Sequence, residues 1–299
     1  MSETMSQHTP IPFVKAHGTG NDFIVLDAVQ GKVDVTAEQV AALCDRHTGI
    51  GADGILRVDR ATNHGFTQDV YFMDYRNADG SVAETCGNGL RVFARFLIEA
   101  GYEQPGSFQI ATRAGLVRAH VRADDVDFTD VAIQMGIPDV PSGGDDATDM
   151  PLIRLVSVRT EQGHWFGTPV FMPNPHCVVV VNAIHDAGHL FTAPDMTGPG
   201  ADIFPEGANV EFIEQRAQDR IGMRTYERGV GETLSCGSGA CAAAFVWAQH
   251  QSMTAPWKVS VDVLGGTVVV EADDQGVLTL RGPAVVVAKG QLVGGQWTS

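Results

Sequence analysis

The sequence predicts an α+β protein built as two pseudo-symmetric halves. Three observations carry that reading. Asn77 precedes Cys86 by nine positions, and Glu227 precedes Cys236 by nine as well. Each cysteine is followed by Gly-X-Gly (Gly87-Asn88-Gly89 and Gly237-Ser238-Gly239) and then by an apolar stretch of helical character. Short β-like runs surround both clusters, and the chain closes on valines alternating with Gly and Asp turns. One reactive group per half, at equivalent places, puts the expected site in the cleft between the halves.

Taken in order, Phe13 to Val14 and Phe23 to Asp27 read as strands around the turn HGTGND. Thr36 to Arg46 reads as a helix with Thr36 as its N-cap and Val40 with Leu43 or Cys44 as its apolar stripe. Val70 to Tyr75 is strand-like. NADGSVAETCGNG reads as a glycine-bearing loop, and LRVFARFLIEAG as a helix closed by Gly101. Gln109 to Val121 and Val131 to Met135 read as further strands, and the Pro-, Gly- and Asp-rich stretch from Pro138 to Pro151 as a boundary or long surface loop. In the second half, Leu152 to Arg159, Val170 to Phe171, Cys177 to Val181 and Ile221 to Tyr226 read as strands. ERGVGETLSCGSG then leads into the helix ACAAAFVWAQH, and Val259 to Val287 reads as an antiparallel meander.

The chain has 299 residues, 44% of them apolar and 19% charged, enough for a packed globular core. Lys and Arg number 20 against 36 Asp and Glu, a formal charge of −16 that repels phosphate backbones and argues against a nucleic-acid partner. No apolar run approaches the roughly 20 residues that span a bilayer, which argues against a membrane partner. MSETMSQHTPIP lacks the order of a signal peptide and reads as a short disordered leader ending at Pro12, so a soluble cytoplasmic protein is expected.

Five scattered cysteines without CxxC spacing argue against a disulfide framework and a structural zinc site, and no metal is expected. Cys44, Cys177 and Cys241 sit in apolar helix or strand contexts and read as small core residues. Cys86 and Cys236 are different. The first turn of a helix has unpaired N–H groups and a partial positive charge, so a thiolate there is stabilised and its pKa is expected to fall. Flanking glycines let the same amides approach a substrate carboxylate. Two such elements suit inversion of a tetrahedral carbon, one thiolate removing a proton and one thiol delivering one to the other face. His176, after two prolines, reads as a satisfied structural histidine unless something acidic lies near it. Asn21, Asn77, Asn174 and Asn209 occupy turn-like contexts, and Arg228 beside Glu227 reads on its own as a surface pair. The turn from His17 to Phe23 lacks the third glycine of a dinucleotide fingerprint and leads into a strand, so a Rossmann reading is rejected.

With these residues assembled, the sequence resembles the diaminopimelate epimerase family from FVKAHGTGNDFIVLD (13–27) to RGPA (281–284). Its most specific blocks are NADGSVAETCGNG, NPHCVVVV and YERGVGETLSCGSGACAAA. The resemblance implies two halves, each a curved, mainly antiparallel sheet around a central helix, over 11–132 and 133–280, with 281–299 returning to the N-terminal half. It implies interconversion of LL- and meso-diaminopimelate, on the route to lysine and peptidoglycan precursors, without pyridoxal phosphate, metal or other cofactor, in a homodimer. Carried over, Cys86 and Cys236 match the catalytic cysteines, and His176 and Glu227 match groups that assist proton movement. Gly87, Asn88, Gly237 and Ser238 match the carboxylate-binding amides. Asn21, Asn77, Asn174, Asn209, Glu227 and Arg228 match the substrate ligands. The chain departs from the pattern at Gly54, where many members carry glutamine.

The nearest alternative is a racemase of the same fold acting on proline, hydroxyproline or histidine. A cysteine hydrolase with His176 as base is a different class, and it leaves the second Gly-flanked cysteine without a role.

Overall fold

The computed structural model describes residues 10–31, 33–125, 130–141 and 154–293. Most of the expected leader, most of the 138–151 loop and the start of the strand read from Leu152 lie outside them.

The opening hairpin shows how turn chemistry sets register. β1 (Ile11–Gly18) and β2 (Asn21–Asp27) pair antiparallel with Gly18 opposite Asn21. Thr19 and Gly20 form the two-residue turn with φ of 50° and 83°, the twist that suits joined antiparallel strands. Thr19 is β-branched and unfavourable there. It is buried, and its Oγ1 accepts a hydrogen bond from Arg91 Nη2 at 3.1 Å. Pro12 belongs to β1, so the leader ends earlier than expected. It lies beyond the last residue paired with β2, where no ladder N–H is needed on that side.

α1 (Ala37–Cys44) starts at Thr36 with a capping box: the hydroxyl accepts from Gln39 N, and the Gln39 side chain accepts from Thr36 N. It buries Val40, Leu43 and Cys44 with Ile24 and Ile55. β3 (Gly54–Arg60), not anticipated from the sequence, runs parallel to β2 and antiparallel to β4 (Tyr71–Asn77). α2 (Gly87–Glu99) follows, and Gly101 beyond it takes the left-handed conformation (φ 72°) that ends many helices. The expected strand over 109–121 is a hairpin, β5 (Gly106–Thr112) and β6 (Gly115–Val121), turning at Arg113-Ala114. β7 (Asp130–Gly136) comes next.

The second half contains β8 (Val156–Arg159), β9 (His164–Met172), β10 (Asn174–Val180), β11 (Asn209–Ala217), β12 (Arg220–Glu227) and β13 (Gly231–Thr233). After α3 (Gly237–His250) come β14 (Trp257–Val263), β15 (Gly266–Ala272), β16 (Leu278–Pro283) and β17 (Val285–Leu292). Like β3, β11 was not anticipated. The expected meander holds for β14, β15 and β16, but β17 leaves it and pairs antiparallel with β1.

The chain divides into two compact units, Met1–Val131 with Pro283–Ser299, and Ala132–Gly282. In the first, β1 pairs antiparallel with β2, β2 parallel with β3, β3 antiparallel with β4, β4 parallel with β5, and β5 antiparallel with β6. In the second, β9, β10, β11, β12, β14 and β15 repeat that series of pairings in the same order. The helix follows the fourth strand in both series. α2 touches β1, β2, β3, β4 and β6, and α3 touches β9, β10, β11, β12, β14 and β15, so each sheet curves around its own helix. α3 suits enclosure: Ala240, Cys241, Ala242, Ala243 and Ala244 are all buried, and small side chains admit strands on every face. Among the described residues no helix is long and apolar enough to cross a membrane.

Candidate active site

Cys86 and Cys236 are the N-caps of α2 and α3, both in extended backbone conformation. The helices begin at Gly87 and Gly237, three residues earlier than the apolar pattern suggested. Glycine is a poor helix former, so Gly-X-Gly reads as loop. The sulfur nevertheless does the work of the usual capping oxygen. The amides of Gly89 and Gly239 each donate to their cysteine Sγ at 3.4 Å. Five free cysteines are described, with Cys44, Cys177 and Cys241 fully packed in apolar surroundings. Burial pushes the Cys44 thiol up to about 11 and the Cys177 thiol higher still.

In the first unit, Asn21 opens β2 and its Oδ1 faces Cys86 Sγ at 3.6 Å and Asn88 Nδ2 at 3.3 Å. Its Nδ2 donates to Asp53 Oδ2 at 2.7 Å. Asp53 belongs to a charged network with Arg46, Asp22 and Lys15. Burial alone would raise the Asp22 carboxyl; hydrogen bonds and charge from Arg46 and Lys15 outweigh it and bring the group down to about 2. Asn77 ends β4 and donates from Nδ2 to Ser81 Oγ at 3.0 Å. Opposite it in the ladder lies Gly54. A Cβ on Gly54 would stand 2.5 Å from the Arg76 carbonyl oxygen and 2.8 Å from the Tyr75 ring, so no side chain fits there on this backbone.

In the second unit, Asn174 opens β10 and His176 follows on the same face. His176 is fully buried. Its Nδ1 shares a hydrogen bond with Glu211 Oε1 at 2.8 Å and its Nε2 one with Asn174 Oδ1 at 3.0 Å. The acidic neighbour that the sequence left open is Glu211, on β11 two residues after Asn209, and it was not among the anticipated residues. The donor atoms of His176, Glu211 and Cys236 all lie within 4.8 Å of one another. Asn209 opens β11 and its Oδ1 accepts from Arg228 N at 2.8 Å. The Arg228 guanidinium turns to the carbonyl oxygens of Glu206 and Gly207. Glu227 ends β12 and accepts from Thr233 Oγ1.

The expected fall in thiol pKa does not hold for Cys236. Burial pushes it well up, the Glu227 and Glu211 carboxylates push it further, and the Ser238 hydroxyl and Gly239 amide offset only part. A helix N-terminus stabilises a thiolate only where two carboxylates do not face it.

The diaminopimelate epimerase family model matches residues 13–140 and 169–287, spanning the cysteine-capped helix of both units. The chain belongs to the diaminopimelate epimerase family. It is 41% identical over 293 residues to a diaminopimelate epimerase of Streptomyces coelicolor, covering 95% of this chain and 96% of that protein. It is 42% identical to one of Thermobifida fusca, covering 94% and 97%. Members of this family are isomerases, and the chain is one of them. Among solved structures, a hydroxyproline epimerase from Agrobacterium vitis with bound trans-4-hydroxy-L-proline shares the fold at 15% identity (TM-score 0.65, covering 96% of this chain and 94% of that one). A predicted epimerase from Pseudomonas aeruginosa does so at 11% identity (TM-score 0.67, covering 95% and 100%).

Proposed function

We propose that the chain interconverts LL- and meso-diaminopimelate by two-base proton transfer, with Cys86 and Cys236 as the paired acid and base and no cofactor. One sulfur takes the α-hydrogen as a proton; the other gives its proton to the opposite face of the carbon, and the two thiols leave the turnover with their protonation exchanged. The observation that carries this reading is the duplicated helix start, a cysteine N-cap followed by Gly-X-Gly, in a chain whose family membership covers both copies. Amides of Gly87, Asn88, Gly237 and Ser238 are the donors for the reacting carboxylate, where negative charge develops. His176 and Glu227 assist proton movement near Cys236. Asn21, Asn77, Asn174, Asn209, Glu227 and Arg228 bind the substrate, including its distal amino-acid end. Such a polar set rejects a ligand that leaves its groups unpaired. The reading extends to a cytoplasmic homodimer; a monomer at all concentrations in sedimentation would remove that part.

Turnover of LL-diaminopimelate in deuterium oxide should place deuterium at the α-carbon. Cys86→Ala and Cys236→Ala should each lower kcat by at least about a thousandfold while calorimetry still detects substrate binding. Wild-type turnover in either variant sinks the two-base scheme, and activity on proline or hydroxyproline in place of diaminopimelate sinks the substrate assignment.

A further inference from the structure

The repeated pairing order gives each residue of the first unit a counterpart in the second. Phe23 pairs with Gly54 across β2 and β3 as His176 pairs with Asn209 across β10 and β11. Two residues further along, Leu56 corresponds to Glu211. Both positions lie directly beneath the first turn of the central helix. A Cβ on Gly89 would meet Leu56 Cδ2 at 3.3 Å and Phe23 Cζ at 3.6 Å, whereas a Cβ on Gly239 would meet Glu211 Oε1 at 2.5 Å. Cys86 thus stands over an apolar floor of Phe23 and Leu56. Cys236 stands over a hydrogen-bonded His176 and Glu211, all four floor residues being fully buried.

A buried carboxylate needs a reason, because desolvation is costly unless every oxygen is satisfied. Glu211 Oε1 is satisfied by His176, but Oε2 is buried without a hydrogen-bond partner among the described residues. Core packing alone is served by leucine at the equivalent position. Glu211 Oε1 at Nδ1 and Asn174 Oδ1 at Nε2 hold both ring nitrogens of His176.

We propose that Glu211 is a positioning residue: it locks His176 beneath the first turn of α3 and makes the two cysteines inequivalent, Cys236 holding the proton in the resting enzyme. This rests on the two-base reading above. The groups facing the Cys236 sulfur are Glu211 from β11, His176 from β10, Glu227 from the end of β12, and Ser238 with the Gly239 amide from α3 itself. In that state Cys236 is the acid and Cys86 the base for the epimer whose α-hydrogen faces Cys86; the other epimer is taken up by the form with the two protonations exchanged. After turnover Cys236 is left as a thiolate facing Glu211 and Glu227 while the other thiol holds the substrate's proton; the enzyme is reset when that proton is released to solvent and Cys236 takes one up from solvent, with no net proton consumed.

The test compares Glu211→Gln, nearly the same shape without the charge, with Glu211→Asp, the charge retained on a shorter arm. The first readout needs no substrate: the titration of Cys236 by 13Cβ-cysteine NMR, assigned with Cys236→Ser. Glu211→Gln should move its midpoint to lower pH by about one unit or more, since a like charge is removed, and Glu211→Asp should move it less. The second readout is steady-state kinetics across pH. Glu211→Gln should lower kcat by on the order of a hundredfold with KM changed less than about threefold, and shift the pH profile in step with the NMR midpoint. Glu211→Asp should keep the wild-type profile at reduced kcat. An unmoved Cys236 midpoint in folded Glu211→Gln overturns the proposal whatever the enzyme acts on. So does a wild-type kcat and pH profile in that variant. Absence of epimerisation by the wild-type protein would instead defeat the functional reading and leave the NMR result to stand by itself.

Discussion

In the first unit the helix-capping cysteine lies over Phe23 and Leu56; in the second it lies over His176 and Glu211. The backbone is the same in both, down to the order of parallel and antiparallel pairings, so the difference resides in side chains. The neighbouring asparagines follow the same division. Asn21 is held by the charged, partly exposed cluster of Asp53, Arg46 and Asp22, whereas Asn174 is held by the fully buried His176. Duplication supplies two similar frames, and the chemistry of each cysteine is set by what its frame buries. Symmetric folds need not give symmetric reactivity.

The strongest way to break that comparison is to give the second unit the floor of the first. His176→Phe alone leaves Glu211 buried and unpaired and should destabilise the protein by about 3–5 kcal/mol in denaturant unfolding. The double variant His176→Phe with Glu211→Leu replaces a buried polar pair by the residues its counterpart already uses. It should recover most of that loss while epimerisation stays depressed. A double variant no more stable than His176→Phe alone would mean that the two floors are not interchangeable and the residue correspondence is wrong.

A smaller effect separates the two helix starts. Gly239→Ala would place a methyl 2.5 Å from Glu211 Oε1 and 3.2 Å from Cys236 Cβ, and overpacking of that kind costs about 1–3 kcal/mol. Gly89→Ala would find its nearest neighbour, the flexible end of Leu56, at 3.3 Å. Part of its cost is offset by alanine's better helix propensity, worth about 1 kcal/mol. Unfolding free energies should therefore fall clearly for Gly239→Ala and change by less than about 1 kcal/mol for Gly89→Ala. Equal losses would show that Glu211 yields to the methyl without penalty.

The parts of the molecule legible in the sequence are those written in local chemistry. Thr36 with Gln39 announces a capped helix, and the two Cys-Gly-X-Gly steps announce their helix starts and the duplication. β3 and β11 escaped because charges interleave their apolar residues: Arg57 and Asp59 in one, Glu211 and Glu214 in the other. In β11 the alternation of Val210 and Phe212 with Asn209 and Glu211 suggests one apolar face and one wet one. Both faces are buried, Val210 and Phe212 in one apolar cluster and Glu211 with Ile213 toward the other side of the strand. Period-two reasoning would therefore place Glu211 in water. The same gap explains the thiol of Cys236. A helix N-terminus is visible within a few residues of sequence, but the carboxylates of Glu211 and Glu227 reach the sulfur only after the strands pair.

The smallest expected effect concerns the charged cluster that holds Asn21. Asp22 sits at about 2 because Arg46 and Lys15 outweigh its burial. A carboxyl lowered on folding adds stability that is complete above its unfolded value near 4 and disappears as pH falls through the folded value near 2. Arg46 is 55% exposed, so Arg46→Met should cost less than about 1 kcal/mol at pH 7. Its effect on titration should be plainer than its effect on stability: the 13C-carboxyl midpoint of Asp22 should climb from about 2 toward the ordinary value, narrowing the acid window over which this cluster supports the first unit. Nothing comparable should happen at Cys236 in the same variant, because its acidic neighbours belong to β11 and β12. A Cys236 midpoint that moved with Arg46→Met would mean that the two cysteines share one electrostatic environment, and the division between the charged and the buried frame would fall.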